Sequence, residues 1–312
     1  MLDDYDRVMI TGAAGFIGSH LCKEVLDLDK QVVVIDDLST GKEENLPAEA
    51  EFIKMDIADL GSLQDAMMGI DLVFHMAAQP STRNSIENPH LDFRSNTLGT
   101  YNVLAAARGA GVRRLIYTSS SAVYGEPERL PLTEADLPIP MTPYGASKLC
   151  GEHYCTAFAG VYQLPCVCFR PFNVYGPREN LDTSLDEVIY YTLAILEGRP
   201  VTVYGDGSQT RDFVNVKDVV RAHILAADND KSIGKVFNVG TGRETSINEL
   251  VKEIEKVTGR QAQLQHEPWP EGDIRREFAD ISLARKTINY SPQTELEHGI
   301  NQILIDLEES SS

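Results

Sequence analysis

Short apolar runs alternate with longer helical stretches along the first half of the chain. The runs lie at residues 8–10, 32–35, 72–74, 115–117 and 167–169. Continuous apolar runs of this length are typical of strands that are covered on both faces. Parallel neighbouring strands need long crossovers, usually helices. The pattern therefore predicts an α/β fold built on a Rossmann-type, doubly wound parallel sheet.

The rhythm of the chain changes after about residue 175. Glycine and proline interrupt the pattern at 176–177 and 198–200, a helical stretch covers 185–196, and a strand-like run covers 201–204. We predict a first domain at 1–175 and a smaller α/β domain at 176–312. The two interleave, because 213–240 is expected to return to the first sheet through its apolar run at 236–240. Ser246 and Glu249 have capping-box spacing and predict a helix over 246–257, and 308–312 is expected to be disordered.

A glycine-rich segment stands between the first predicted strand and the first predicted helix. Gly12, Gly15 and Gly18 are spaced three residues apart, with Phe16 and Ile17 between the last two. Glycine triplets also occur in ordinary turns. At this position, however, they let the backbone approach a pyrophosphate at a helix N-terminus. These five residues are therefore predicted to bind a dinucleotide.

Two acidic positions follow later strands and bear on which dinucleotide binds. Asp36 ends the second strand, where a carboxylate can accept both ribose hydroxyls and repels a 2'-phosphate, so NAD is favoured over NADP. Asp37 is a rival for this role, and Lys42 could offset the repulsion. Asp56, with Ile57, suits the adenine edge, although an aspartate there could equally cap the next helix.

Tyr144 and Lys148 stand four positions apart where a helix is expected to begin, and three serines at 119–121 precede them. The spacing places the phenol and the ammonium on one helix face. A nearby positive charge favours the phenolate and lowers the pKa of the phenol below its usual value of about 10. The pair is thus predicted to supply a base that deprotonates a substrate hydroxyl.

The amino-acid composition limits the kinds of partner that the chain is expected to bind. The 312 residues include 28 basic and 47 acidic side chains, giving a formal charge of -19. Such a balance repels nucleic acid and anionic membranes, and no run of about 18 apolar residues could span a bilayer. We expect neither partner and a cytoplasmic location. The five cysteines lack paired spacing, so no metal site is predicted.

Several ordered motifs cover nearly the whole chain. They are TGAAGFIGSHL at 11–21, FHMAAQ at 74–79, YTSSSAVYG at 117–125, YGASK at 144–148, FRPFNVYGPR at 169–178 and YGDGSQTRDFVNVKDV at 204–219. In these motifs the chain resembles the extended short-chain dehydrogenases/reductases. More narrowly, it resembles the NAD-dependent nucleotide-sugar epimerase/dehydratase family, to which UDP-glucose 4-epimerase belongs.

The resemblance implies roles around the reacting atoms. Tyr144 would be the general base, Lys148 would also hold the nicotinamide ribose, and Ser120 would hydrogen-bond the reacting hydroxyl. Ser120 is selected by counting back from Val123, and a one-residue slip would move the role to a neighbour. The resemblance also implies positions that flank the cofactor or lie near it: Phe74, Ala77, Ala78, Gln79, Asn96 and Thr118. The apolar residues among them, Phe74 and the two alanines, could equally well belong to the hydrophobic core.

The resemblance also implies a nucleotide-sugar site that lies mainly in 176–312. Arg211 matches a phosphate-binding arginine, Asn173 matches a residue that touches nucleotide and sugar, and the backbone near Val203 and Tyr204 would meet the base. The family's usual Arg-x-Gly-Asp reads Pro270-Glu271-Gly272-Asp273 here. The usual arginine is therefore absent, and Arg275, or alternatively Arg276, would supply the second phosphate contact. Glu277 falls where the family limits the sugar pocket, and we expect it to disfavour uronates.

The residues after the catalytic serine separate branches of the family. Ser121 and Ala122 replace the carboxylates that dehydratases and decarboxylases carry there, and elimination needs such an acid and base. We therefore predict an NAD-dependent 4-epimerase of a nucleotide sugar of the UDP-glucose/UDP-galactose type. Alternatives are an epimerase of UDP-N-acetylhexosamine or UDP-glucuronate, then a reductase or dehydratase, and last a non-catalytic dinucleotide sensor. By resemblance, the helices over 98–108 and from Tyr144 would pair in a homodimer.

Overall fold

The computed structural model describes residues 1–179, 186–269 and 274–310. The strands are, in chain order, β1 Arg7–Thr11, β2 Gln31–Asp36, β3 Glu51–Lys54, β4 Leu72–His75, β5 Arg114–Thr118, β6 Cys166–Pro171, β7 Asn173–Tyr175, β8 Pro200–Tyr204, β9 Thr210–Arg211, β10 Phe213–Asn215, β11 Val236–Val239, β12 Thr245–Ser246 and β13 Gln263–Glu267.

The helices surround these strands. They are α1 Phe16–Asp27, α2 Leu60–Ala66, α3 Thr82–Glu87, α4 Pro89–Asp92, α5 Gly99–Ala110, α6 Pro143–Tyr162, α7 Glu187–Glu197, α8 Val216–Ala227, α9 Ile247–Thr258, α10 Ser282–Ile288 and α11 Leu296–Ser310. A π-helical segment, Phe93–Leu98, joins α4 to α5.

A seven-stranded sheet in the order β11-β6-β5-β4-β1-β2-β3 forms the centre of the molecule, and all of its pairs are parallel. Val8 and Ile10 face one apolar cluster, whereas Met9 between them faces a second cluster on the other side of the sheet. Both faces are therefore covered, which explains the uninterrupted apolar runs. The predicted α/β Rossmann-type fold is confirmed. The strand order reverses between β1 and β4, where such sheets bind ligands.

The chain after β7 builds smaller elements and then returns to the sheet. Parallel two-stranded sheets form from β10 with β7 and from β13 with β8, and an antiparallel one forms from β12 with β9. Within 213–240, β11 joins the large sheet beside β6, but β10 does not. A third apolar cluster includes Val201, Leu250 and Ile300 and packs α7, α9 and α11 together. The division into domains at 175 stays a prediction.

Two predictions on helix ends have opposite outcomes. The capping box is present, because the Ser246 hydroxyl accepts from the Glu249 N–H at 3.2 Å and the Glu249 carboxylate accepts from the Ser246 N–H at 2.8 Å. The predicted disordered tail is wrong for 308–310, because α11 continues to residue 310. Ile300 and Ile303 of α11 are buried and Leu307 packs on the same cluster, so burial of one face sustains this helix. Residues 311–312 and Leu185, where the α7 helix was predicted to start, lie outside the described residues.

Within the described ranges, no helix is both long and apolar enough to cross a membrane.

Candidate active site and cofactor cleft

A cavity of about 230 Å³ opens at the carboxyl ends of β1, β2 and β4. It lies where the strand order reverses, as expected for a dinucleotide site. Most of the predicted cofactor residues line it: Gly12, Gly15, Phe16, Ile17, Gly18, Asp36, Asp56, Ile57 and Ala77. Ala78 and Thr118 line it as well, whereas Phe74 is fully buried in the core.

Two glycines of the loop, Gly12 and Gly18, leave no room for a side chain. Gly12 has φ +74°, and a Cβ there would lie 2.5 Å from the backbone nitrogen of Ala77. A Cβ on Gly18 would lie 2.2 Å from the carbonyl oxygen of Gly12. The N-cap of α1, Gly15, offers no side-chain acceptor to the first N–H groups of the helix. The residues of this first turn line the cavity, an arrangement suited to a pyrophosphate.

Asp36 is fixed at the end of β2 by the loop itself. Its carboxylate accepts hydrogen bonds from the Ala14 and Leu38 N–H groups, each at 2.9 Å, and burial raises its pKa. Lys42, which could have offset the repulsion of a 2'-phosphate, forms an ion pair with Glu44 at 3.7 Å. The rival Asp37 is exposed, although it also borders the cavity. The arrangement fits a ribose with free hydroxyls.

Asp56 does not cap a helix. The N-cap of α2 is Asp59, whose carboxylate accepts from the Ser62 N–H. Asp56 instead accepts from the Ala58 N–H at 2.7 Å and forms an ion pair with Arg94 at 2.5 Å. Of the two alternatives left by the sequence, the cap is wrong, and the side chain borders the cavity.

Gln79 and Asn96 stand behind the cavity wall. The Asn96 amide accepts from the Gln79 N–H at 2.8 Å and donates to the Gln79 carbonyl oxygen at 3.1 Å. Asn96 therefore holds the loop after β4 and does not line the cavity. The Gln79 side chain is buried, and neither of its amide atoms has a hydrogen-bond partner in the described part of the chain. An unpartnered buried amide is costly unless a ligand satisfies it.

Ser120, Tyr144 and Lys148 come together where β5 ends and α6 begins. Thr142 caps α6 by accepting from the Gly145 N–H at 3.2 Å, which fixes Tyr144 in the first turn. The Ser120 hydroxyl accepts from the Ala122 N–H at 3.2 Å and hydrogen-bonds the Tyr144 phenol. Lys148, one turn further on, is buried with its Nζ 4.9 Å from the centre of the Tyr117 ring.

The predicted lowering of the Tyr144 pKa is wrong. Burial raises the pKa of the Tyr144 phenol, the hydrogen bond from Ser120 lowers it, and the charge of Asp92 raises it. Burial also lowers the pKa of Lys148 to about 8, against the opposing charges of Asp92 and Glu152. The spacing of Tyr144 and Lys148 could not show this loss of hydration, which is the largest influence on the pKa of the phenol.

The neighbouring Ser119 belongs to a different hydrogen-bond network. Its hydroxyl donates to Glu152 at 2.5 Å, and Glu152 accepts from Arg170 at 2.9 and 2.7 Å. Ser119, Glu152 and Arg170 are all buried. Ser120 is therefore the serine that faces Tyr144, which agrees with the choice made by counting.

Three predicted substrate residues meet on the other side of the cleft. The Asn173 amide donates to Glu277 at 2.7 Å, and Glu277 is nine-tenths buried. Burial raises the pKa of Glu277, while the charge of Arg211 lowers it. The Arg211 guanidinium donates to the carbonyl oxygens of Thr210 and Ile274 at 3.0 and 2.8 Å.

A second cavity of about 310 Å³ is lined by Arg275, Arg276 and Trp269, whereas Val203 and Tyr204 do not line it. Arg275 stacks over the Trp269 ring at 5.3 Å, whereas Arg276 is held by Glu244 at 2.6 and 2.7 Å. Arg275 is thus the less committed of the two. Val203 is fully buried and Tyr204 is partly exposed beside Gly205. The departure at 270–273 lies outside the described residues.

Sequence reasoning missed Asp92, Glu152 and Arg170, all buried around the catalytic residues. Glu152 follows Lys148 by four positions on α6, a spacing that could have suggested a shared helix face. Asp92 precedes Asn96 by four positions, but its helix is too short to give a periodic signal. In the described ranges, no group of three or more His, Cys, Asp or Glu side chains is arranged to hold a metal ion.

Known proteins resemble the chain over almost its whole length. The sequence profile of the NAD dependent epimerase/dehydratase family matches residues 8–240. A UDP-glucose 4-epimerase of Mycolicibacterium smegmatis is 42% identical over 94% of this chain and 96% of the relative. The crystal structure of a UDP-glucose 4-epimerase from Thermotoga maritima with UDP-glucose has a TM-score of 0.93 and 34% identity, covering 98% of this chain and 100% of that one.

A third similar protein was solved with a different sugar nucleotide bound. The structure of a UDP-glucuronic acid 4-epimerase from Bacillus cereus with UDP-glucuronic acid and NAD has a TM-score of 0.89 and 34% identity, covering 97% of this chain and 99% of that one. The family profile spans the glycine loop, the predicted catalytic residues and β11, and the cavity fits a dinucleotide without a 2'-phosphate. The chain therefore belongs to the NAD dependent epimerase/dehydratase family, and its cofactor is NAD.

Proposed function

We propose that the chain interconverts UDP-glucose and UDP-galactose by inverting C4 of the hexose. The observation that carries this proposal is the meeting of Ser120, Tyr144 and Lys148 beside the cofactor cavity, whose wall includes Thr118. A deprotonated phenol that reaches a serine hydroxyl is suited to remove a proton from a secondary alcohol. The relatives that act on UDP-glucose support the choice of sugar.

In the proposed reaction the Tyr144 oxygen accepts the proton of the C4 hydroxyl while Ser120 hydrogen-bonds the same hydroxyl. NAD, when bound, supplies a hydride acceptor that can return the hydride to C4. Tyr144 then gives its proton back to the oxygen at C4. Inversion requires the ketone to present its opposite face, so the protein must hold the nucleotide while the hexose turns. Arg211 and Arg275 are suited to hold the diphosphate, because guanidinium binds two phosphate oxygens at once.

Residues 121–122 offer no carboxylate beside Ser120, which favours epimerisation over dehydration. A net reductase would consume one reduced cofactor for each sugar, whereas epimerisation consumes none. The decisive experiment incubates the purified protein with UDP-glucose, without added cofactor, and separates the sugars by chromatography. We expect UDP-galactose to appear with no net change in nicotinamide absorbance. No conversion of any member of a UDP-sugar, dTDP-sugar and GDP-sugar panel by NAD-loaded protein would overturn the proposal.

Glu277 is proposed to select against uronate substrates. Its carboxylate lies against Asn173 in the proposed sugar site, and a second carboxylate at C6 of the substrate would be repelled. We predict that Glu277→Gln raises kcat/KM for UDP-glucuronate relative to UDP-glucose by about tenfold, since like charges brought together cost more than 1.4 kcal/mol. Competition assays with both substrates give this ratio. Equal turnover of the two sugars by the unmodified protein would contradict the role.

The homodimer is proposed on the outer faces of α5 and α6. Tyr101 and Tyr154 contact each other at 5.6 Å between ring centres, and Phe158 contacts Tyr162 at 4.9 Å. Tyr101, Tyr154 and Tyr162 are partly exposed and Val161 is largely exposed, an aromatic surface suited to a second copy. Light scattering should give twice the chain mass of 34.5 kDa. A value of one chain mass at micromolar concentration would refute the dimer.

A further inference from the structure

A buried histidine on α8 lies directly behind the wall of the cofactor cavity. His223 is fully buried, and its ring packs against Phe74 and Phe169, with ring centroids 6.5 and 4.5 Å away. Its Nε2 atom lies 2.8 Å from the hydroxyl oxygen of Thr118, the last residue of β5. Thr118 lines the cavity, whereas His223 does not. The imidazole therefore reaches the cavity only through this threonine.

The tautomer of His223 follows from its second polar contact. The Nδ1 atom lies 2.8 Å from the carbonyl oxygen of Val219, one turn earlier on α8. A carbonyl oxygen can only accept, so Nδ1 carries a hydrogen and donates it. Burial lowers the pKa of His223 to about 4, and a neutral imidazole carries a single N–H. Nε2 is therefore an acceptor, and it faces Thr118.

This tautomer fixes what the Thr118 hydroxyl can do. The hydroxyl has one hydrogen, and two acceptors lie 2.8 Å from its oxygen: Nε2 of His223 and the Sδ atom of Met76. A thioether sulfur is a weak acceptor, so the hydrogen goes to the imidazole nitrogen. The hydroxyl oxygen then has no hydrogen left to donate and keeps its lone pairs. Toward the cavity, Thr118 is an acceptor.

Thr118 lies at the nicotinamide end of the cavity. Asp36 ends β2, which lies on one side of the reversal in strand order, and β5 lies on the other side. Ser120, which hydrogen-bonds Tyr144, follows Thr118 by two positions. A dinucleotide whose adenosine ribose contacts Asp36 would extend its other half toward Thr118. That half carries two kinds of donor, the ribose hydroxyls and the N–H groups of the carboxamide.

We propose that His223 is a positioning residue that takes the hydrogen of the Thr118 hydroxyl and so makes its oxygen an acceptor for a donor of the nicotinamide half of NAD. Without the imidazole, the hydroxyl could rotate and turn its hydrogen toward that donor, which would weaken the contact. The inference rests on NAD as the cofactor and holds whichever sugar the protein converts.

The tautomer of His223 is the first test, because it can be measured without turnover. NMR of NAD-loaded protein carrying ¹⁵N-labelled histidine distinguishes a protonated from an unprotonated ring nitrogen, and His223→Gln assigns the resonances. We expect a neutral ring with hydrogen on Nδ1 near neutral pH. Hydrogen on Nε2 would overturn the inference, because that nitrogen would then donate to Thr118. This measurement uses the unmodified ring and decides the question even where a His223 variant does not fold.

The second test is the rate at which NAD leaves the loaded protein, followed after addition of excess 3-acetylpyridine adenine dinucleotide. Thr118→Val removes the acceptor, and we expect release to become about tenfold faster. His223→Phe should accelerate release about threefold, because the hydroxyl can then take any of three staggered positions. His223→Gln should restore slow release, because its amide oxygen can accept the same hydrogen.

A double variant separates positioning from packing. If His223 acts through Thr118, release from Thr118→Val/His223→Phe is no faster than from Thr118→Val alone. Losses that add, or normal release from Thr118→Val, would overturn the inference. Thr100→Val is the matched control, because the buried Thr100 hydroxyl also contacts a histidine, His75, at 2.9 Å but does not line the cavity. Its NAD release should stay at the unmodified rate.

The donor on the cofactor is identified by loading the protein with the acetylpyridine analogue, which has ribose hydroxyls but no amide N–H, and chasing with NAD. If Thr118→Val no longer accelerates release of the analogue, the carboxamide is the donor. An equal acceleration for both cofactors assigns a ribose hydroxyl. Neither the NMR measurement nor the release rate involves a sugar, so failure of the proposed epimerisation would leave both results in place.

Discussion

Tyr144→Phe is expected to lower kcat by about 10³-fold, because the variant has no oxygen to exchange a proton with the C4 hydroxyl. The phenylalanine ring keeps the shape of the side chain, and Tyr144 does not line the NAD cavity. NAD content, measured after denaturation, should therefore stay at the level of the unmodified protein. The measurement is the initial rate of UDP-galactose formation at saturating UDP-glucose.

Tyr154→Phe is the matched control for this loss. Tyr154 lies on the same helix, α6, but its ring is partly exposed and contacts Tyr101. Its hydroxyl has no place in the proposed chemistry, so the rate should be retained. Retention of normal turnover by Tyr144→Phe would remove the assigned base. Equal losses in both variants would point to damage of the helix instead.

Arg170→Met is expected to lower the free energy of unfolding by about 3–5 kcal/mol, because it leaves the Glu152 carboxylate buried without its cation. The side chains of Arg170 and Glu152 are only 5% and 4% exposed. Arg170 also stacks over Tyr124 at 4.6 Å, and Tyr124 donates to Asn238 at 2.6 Å. The pair thus connects β6, α6 and β11 behind the catalytic serine. Chemical denaturation monitored by circular dichroism gives the difference.

Arg83→Met provides the comparison for an exposed pair. Arg83 and Glu87 are joined at 2.9 Å, but their side chains are 77% and 61% exposed. Removing this arginine should cost less than about 1 kcal/mol. The double variant Arg170→Met/Glu152→Met should recover part of the lost stability, because no unpaired charge then remains. A loss for Arg170→Met no larger than that for Arg83→Met would show that the buried pair contributes little.

The fold could be predicted to a large extent because its signals are local. Apolar runs and crossovers indicated the parallel sheet, and the position of Gly12 between strand and helix indicated the cofactor loop. The capping box at Ser246 needed only four residues of sequence. The tail at 308–310 was misjudged because its polar composition hid the anchoring of α11 by Ile300 and Ile303, which pack on distant elements.

The candidate site divides in a similar way. Residues that share one helix, such as Tyr144 and Lys148, could be paired by spacing alone. Contacts between different elements could not be predicted in this way. Asn173 donates a hydrogen bond to Glu277, and Ser119 donates one to Glu152, but the partners in each pair are more than 30 positions apart in the chain. Asp92 gave no sequence signal at all, because its four-residue helix has no periodicity to read.

By itself, the sequence determined the sheet, the glycine loop and the preference for NAD, and it paired Tyr144 with Lys148, because each depends on a pattern within a short segment. Only the tertiary structure decided which way the pKa of Tyr144 moves, which serine faces it and which carboxylates surround Lys148. The physical reason is that hydration and charge at a buried atom are set by every element that packs around it, and those neighbours are distant in sequence.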